Sequence, residues 1–203
     1  MQSDAELLAA WRGGDRSSGR ALFERHFDSV RRFFANKVDH GVEDLVQRTF
    51  LACVEARDRF REEASFRTFL FAIAHNLLRK HFRARARGRE DHEIDALSIV
   101  DLGQSPISLL AVAGEGLLLL QGLRRIPLAS QIILELYFWE GLTGRELGLL
   151  LGVPEDTARA RLRRAKRDLE GAIRQLEASP GLLESTISDL DRWAASVRAQ
   201  VGR

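Results

Sequence analysis

At 203 residues, with 45% hydrophobic and 30% charged content, the chain is an ordinary soluble globular protein with room for one mid-sized domain or two small ones. A single cysteine, Cys53, excludes an internal disulfide and a multi-cysteine metal site, and no apolar run approaches the ~18 residues of a membrane span. The formal net charge is only +2, but Lys and Arg crowd into 79–89 and 159–167, which points to an anionic partner met by particular faces.

The start, Met1-Gln2-Ser3-Asp4, is polar and lacks the apolar core of a secretory signal, so a reducing cytoplasmic setting is expected. Leu- and Ala-rich composition with one Tyr favours helix over sheet. Asp4 is the expected cap of a short helix carrying Leu7, Leu8 and Trp11, stopped at Gly13-Gly14. A second helix is predicted from Ser17 or Ser18 to Val38, with Leu22, Phe23, Phe27, Val30 and Phe34 as its inward stripe. A third is predicted from Glu43 to Phe60, burying Leu45, Val46, Phe50, Cys53 and Val54. Ser65 then caps a fourth helix that begins apolar (Phe66, Phe69, Leu70, Ile73, Leu77) and ends basic (Arg79, Lys80, Arg83, Arg85). A packed start and a charged finish place the far end against something acidic.

Periodicity fades through 89–110, where Gly103 and Ser105-Pro106 stand, and this is the expected flexible linker. Two further helices are divided at Pro127, and Ile132, Ile133, Leu136, Tyr137 and Trp139 are the expected core of a second module. The segment 143–169 is the most specific. Thr143 and Glu146 make a capping box, Gly152 supplies a tight turn, and Pro154 opens a longer helix. At ~100° per residue, Ala158, Leu162, Ala165 and Leu169 share one face of that helix. Ala160, Arg163, Arg164 and Arg167 then point away, with Arg159, Arg161 and Lys166 on the flanks. So many like charges on one exposed helix repel each other, and duplex phosphates would neutralise them. A short helix, a Gly turn and a longer basic helix form a helix-turn-helix, and DNA is its expected partner.

The whole chain is therefore expected to be all-α: two small helical domains joined by a flexible linker, followed by a C-terminal helix. Beyond Ser179-Pro180, the positions Leu183, Ile187, Leu190, Ala194, Val197 and Val201 step by four and three. That stripe fits a helix packing back on the second module or a regulatory tail. An enzyme is not expected. The five histidines lack metal-ligand spacing, and neither a phosphate loop nor a nucleophile motif accompanies Cys53; no metal and no cofactor are expected.

Both modules resemble the small two-domain sigma factors of bacterial RNA polymerase, the extracytoplasmic-function (ECF) group of the sigma-70 family. Glu43-Asp44-Leu45-Val46-Gln47-Arg48-Thr49-Phe50 looks like the family's polymerase-binding segment. Phe60-Arg61 with Ser65-Phe66-Arg67-Thr68-Phe69 to Asn76 looks like its melting and −10-reading segment. Trp139-Glu140-Gly141-Leu142-Thr143 through Leu162 looks like its −35-reading helix-turn-helix. The resemblance implies a region 2-like domain over 1–88, a linker over 89–110, a region 4-like domain over 111–176 and an extension over 177–203. It implies that Asp44, Leu45, Gln47 and Phe50 serve polymerase binding. Arg61, Ser65, Phe66 and Asn76 would frame a flipped −10 base, while Arg79, Lys80 and Arg83 track the duplex. Thr157, Arg159, Ala160, Arg163, Arg164 and Arg167 would meet −35 DNA. Core RNA polymerase and promoter DNA are the implied partners, with room for an anti-sigma protein that no residue names and no membrane insertion. The chain departs from the family's usual residues at Arg48, Phe69, Ala72 and Ala160, so its detailed promoter preference lies outside the resemblance. A dimeric helix-turn-helix regulator acting without polymerase is the alternative, but it leaves the first module without a role.

Overall fold

The structure, a computed structural model, describes residues 2–60, 64–85, 91–103 and 115–176. Among them every regular element is helical. In the first module, α1 (Asp4–Arg12) lies on α2 (Arg16–Ala35), which packs against α3 (Val42–Ala56), and α4 (Phe66–Arg85) closes the bundle against α3. The cap of α1 differs from the sequence expectation. Ser3 caps it through a reciprocal box with Glu6, and Asp4 instead accepts from His26 Nε2 at 2.7 Å and Arg25 Nη1 at 2.6 Å. Asp15 caps α2 by accepting from the Ser17 amide.

The inward stripe of α2 also differs. Leu22, Val30, Phe33 and Phe34 are buried with His26, whereas Phe27 is 46% exposed. Val54 of α3 likewise faces out, beyond the end of the core cover, while Leu45, Val46 and Cys53 are buried as expected. Burial pushes the Cys53 thiol up to about 12. α3 also stops earlier than expected, at Ala56, and passes through a 3-10 turn over Arg57–Arg59.

In the second module, α6 (Glu115–Arg125) and α7 (Leu128–Phe138) divide at Pro127, which has no amide hydrogen to continue a helix. α8 (Gly144–Leu151) and α9 (Glu155–Arg174) follow, and α9 runs across α6, α7 and α8. Ile132, Ile133, Leu136 and Trp139 are core, as the pattern indicates. Tyr137 is not: its ring lies outward, with the Lys166 ammonium 5.6 Å from its centroid.

Part of the expected linker is firmly docked. α5 (Asp91–Ala96) precedes turns over 97–103, and Ile94 and Ile99 are buried. The Leu128 amide donates to the Leu97 carbonyl at 2.8 Å, and the Val100 amide to Arg124 at 3.3 Å. Two isolated isoleucines carry this docking, and two residues make no periodicity. The C-terminal stripe over 177–203 lies outside the described residues.

Candidate nucleic-acid interface

The recognition helix follows from its turn. Thr143 Oγ1 accepts from the Glu146 amide while the Glu146 carboxylate accepts from the Thr143 amide at 2.9 Å, so α8 starts at a fixed residue. Gly152 ends α8 at φ +66°, in the left-handed region that glycine adopts without strain. The Val153 amide then returns to the Gly148 carbonyl at 3.0 Å, and a Cβ on Gly148 would stand 2.8 Å from the Val153 oxygen. Pro154 is the N-cap of α9 rather than its first residue. Ala158, Leu162, Ala165 and Leu169 are buried. Arg159, Ala160, Arg161, Arg163, Arg164 and Arg167 are exposed, and Thr157 is half-buried. The outward face therefore carries five guanidiniums around one alanine methyl, a surface able to meet phosphates and purine edges.

The −10 segment is anchored by Arg12. It donates from Nε and Nη2 to the Arg57 carbonyl, at 3.1 and 2.8 Å, and from Nη2 to the Phe60 carbonyl. This ties down the chain just before 61–63, which include Arg61 and lie outside the described residues. Ser65 caps α4, accepting from the Thr68 amide at 3.2 Å. Phe66, expected to wall a base pocket, is instead a core residue against the His26 ring. Phe60 and Phe69 stack at 4.6 Å and floor a cleft of about 200 Å³. Asn76, Lys80 and Arg83 are exposed on α4. Arg79 is half-buried and pairs with Asp95 of α5 at 3.2 Å, so it also braces the first module against the linker.

On α3, Asp44 and Gln47 are exposed, and Asp44 pairs with Arg48 one turn on at 3.0 Å. Leu45 faces the core and Phe50 is nearly covered, in contact with the rings of Phe23 and Phe27. These two shape the exposed face of α3 from below, while Phe27, Leu51 and Val54 add exposed apolar area beside it.

Sequence reasoning misses a set of polar groups that join the modules. Lys37, fully buried, donates to Glu135 of α7 and to the Phe33 carbonyl at 2.8 Å. Arg32 donates to Glu140 at 3.0 Å with both side chains buried. Burial pushes Lys37 down and Glu135 up from their ordinary values, each held back by the other's charge. Arg67 donates to the Glu140 carbonyl at 2.7 Å. Ser65 and Thr68 donate to Glu146 at 2.6 and 2.9 Å. Partial burial raises the Glu146 carboxyl, but these bonds and those from Thr143 outweigh it and hold it at about 2. Partners some hundred residues apart leave no spacing signal in a sequence.

Among the described residues, no group of three or more His, Cys, Asp or Glu side chains could hold a metal ion, and no helix is long and apolar enough to cross a membrane.

A bundle with a capped aromatic helix, linked to a helix-turn-helix with a basic outer face, defines a two-module DNA-binding transcription factor. The models for sigma-70 region 2 and sigma-70 region 4 match residues 22–88 and 117–169. The chain belongs to the sigma-70 family, within its ECF group, and is a sigma factor of transcription initiation. It is 26% identical over 184 residues to the ECF RNA polymerase sigma-E factors of Salmonella typhimurium and Escherichia coli K12, spanning 86% of this chain and 96% of theirs. It is 29% identical over 175 residues to the sigma factor CarQ of Myxococcus xanthus, covering 84% of this chain and 97% of CarQ. The fold is shared with CnrH, solved with the cytosolic domain of CnrY, at TM-score 0.61 and 21% identity over 85% of this chain and 98% of CnrH. It is also shared with the RpoE of Bartonella quintana, solved with the anti-sigma factor NepR, at TM-score 0.59 and 19% identity over 77% and 96% of the two chains. The dimeric regulator reading is not favoured, because region 2 now accounts for the first module.

Proposed function

We propose that this cytoplasmic factor uses α3 to hold core RNA polymerase, α4 and the chain before it to read and open the −10 element, and α9 to read −35. The domains are 1–88 and 111–176. Asp44 and Gln47 make the polar contacts to polymerase over a surface shaped by Leu45 and Phe50. Ser65, Asn76 and Arg61 contact the −10 strand, with Phe66 supporting them from the core. Arg79, Lys80 and Arg83 hold the adjacent backbone by charge, which positions DNA without reading sequence. Arg159, Ala160, Arg163 and Arg164 meet the −35 major groove, where arginine recognises guanine and the Ala160 methyl suits thymine, while Thr157 and Arg167 hold the adjoining −35 backbone.

The observation that carries this reading is the clean division of α9 between a buried Ala158/Leu162/Ala165/Leu169 face and an exposed arginine face. An anti-sigma protein is a natural further partner, since two structural relatives were solved with CnrY and with NepR. Run-off transcription with core enzyme and a library of genomic fragments tests the proposal. Factor-dependent transcripts should arise from fragments sharing spaced −35 and −10 elements; their absence from every fragment would remove it.

A further inference from the structure

The last carbonyls of a helix lack amide partners one turn on and must find donors elsewhere. Where α3 runs out through the 3-10 turn over Arg57–Arg59, donors come from another helix altogether. Arg12, at the end of α1, donates from Nε and Nη2 to the Arg57 carbonyl at 3.1 and 2.8 Å, and Nη2 also reaches the Phe60 carbonyl. The donors of a guanidinium lie in one rigid plane, so holding two carbonyls at once fixes the spacing between them. A cation is also favoured beside the negative end of a helix.

α1 is itself firmly seated, which makes Arg12 a fixed point. Trp11 is buried against Gly19 of α2, where an added Cβ would stand 2.6 Å from the indole, and its ring meets Phe23 edge-on at 5.2 Å. The Arg57 guanidinium lies over the same indole, 5.2 Å from the ring centroid, so two arginines reach in opposite directions between α1 and the end of α3. At the start of α1, Asp4 is held by Arg25 and His26. Arg12 is only half-buried, and Leu7, Leu8 and Trp11 complete the apolar side of α1 without it. Its bonds add direction rather than core.

That direction bears on DNA. The Arg12 guanidinium lies 5.7 Å from the Phe60 ring centroid, and Phe60 stacks on Phe69 of α4 at 4.6 Å. The chain into α4 is thus held at Phe60 by Arg12 and at Ser65 by the helix cap. α1 lies ahead of residues 22–88, which match sigma-70 region 2, so this support comes from outside the matched region. Telling one base from another needs contact groups placed to within about half an ångström, and such placement depends on the groups behind them.

We infer that, given the −10 role of α4 and the chain before it, Arg12 is a positioning residue for −10 selectivity. By holding the Arg57 and Phe60 carbonyls it fixes the path of the chain into the −10-reading segment. It acts through these carbonyls and not on the base.

The test uses holoenzyme reconstituted from core polymerase and the full chain. The templates are a promoter recovered from the run-off library and its single-base −10 and −35 substitutions. Arg12→Ala should reduce the preference for the correct base at one or more −10 positions on the order of tenfold, comparable with the effect of one mismatch. Preference at every −35 position should match the parent's, because α9 reads those bases from the other module. Arg25→Ala, which loosens the opposite end of α1, should keep both preferences. Arg12→Lys, a point charge without the fork, should lose part of the −10 preference. Circular dichroism shows which variants are folded, and if Arg12→Ala is not, Arg12→Lys decides by the same ratios. An unchanged −10 preference in the deciding variant overturns the inference. So does an equal loss at −10 and −35, or an equal loss in Arg25→Ala. A parent indifferent to every −10 substitution removes the −10 assignment itself and the inference with it, a result that the parent alone delivers.

Discussion

Arg159 donates to the Glu155 carboxylate one turn earlier on α9, from Nε at 2.9 Å and from Nη2 at 2.6 Å. The pair lies on the surface, where water screens it and such contacts contribute little. The guanidinium is thus lightly tethered along its own helix and must leave Glu155 to enter a groove. Glu155→Ala should tighten binding of a −35 duplex about twofold, as read by anisotropy at fixed salt. Weakened binding would mean that Glu155 positions Arg159 for DNA instead of holding it back.

Arg164 is exposed on the arginine face of α9. Arg164→Ala should cost about 1–3 kcal/mol of −35 affinity if its contact is to a base, and should relax sequence preference at one position. Arg167→Ala should weaken all duplexes alike and flatten the salt dependence of binding. A matched-promoter titration in which the Arg164 variant equals the parent would remove Arg164 from the reading face.

Asp44→Ala and Gln47→Ala should each lower affinity for core polymerase while leaving the helix content intact, since both side chains are exposed. Calorimetric titration with core enzyme checks the first part and circular dichroism the second. Equal affinity would move the polymerase contact off this face of α3.

Two glycines of the second module should respond oppositely to the same substitution. A Cβ on Gly148 meets the Val153 backbone oxygen at 2.8 Å, which cannot swing away, so Gly148→Ala should cost about 1–3 kcal/mol and lower the melting temperature. A Cβ on Gly171 meets nothing within 4 Å, and Gly171→Ala in a helix interior should gain about 0.5–1 kcal/mol. Denaturant titration of both variants measures the contrast.

The fold should weaken as pH falls below the ordinary histidine range. Burial pushes His26 down despite the opposing Asp4 carboxylate 2.7 Å away, with Arg67 adding to the fall and Glu140 opposing it. A depressed histidine binds its proton less readily folded than unfolded, so its contribution is intact above about pH 6.5 and is lost progressively below. His81 is shifted the same way, by burial and then by Arg85, and adds to the slope. Asp4 is itself lowered below its usual value and does not titrate in this window. Stability by denaturant titration should drop as pH falls from about 6.5 towards 5, and His26→Gln should flatten but not abolish the change. A parent stability that does not change below about pH 6.5 would contradict the assignment.

The parts of the molecule written in local spacing are legible in the sequence. The capping box of Thr143 and Glu146, the break at Pro127 and the division of α9 all depend on residues within a turn or two of each other. Phe27 and Val54 escape such reading, because helical periodicity shows that a face is apolar, not that a neighbour reaches far enough to cover it. Local chemistry allows Asp4 as a cap, whereas the fold brings His26 and Arg25 to its carboxylate and leaves capping to Ser3. The Lys37–Glu135 and Arg32–Glu140 pairs belong to the third dimension altogether. Nothing in a run of charges tells which cation will lose its water.

The burial of Cys53 has a consequence for what kind of news this molecule can receive. Oxidation of sulfur starts from an exposed thiolate, and the one thiol here is shut away and protonated at any ordinary pH. Peroxide or a disulfide reagent therefore finds no handle on the described core. If oxidative stress changes which promoters are used, the chemistry of sensing must happen on a second molecule and reach this one as a binding event.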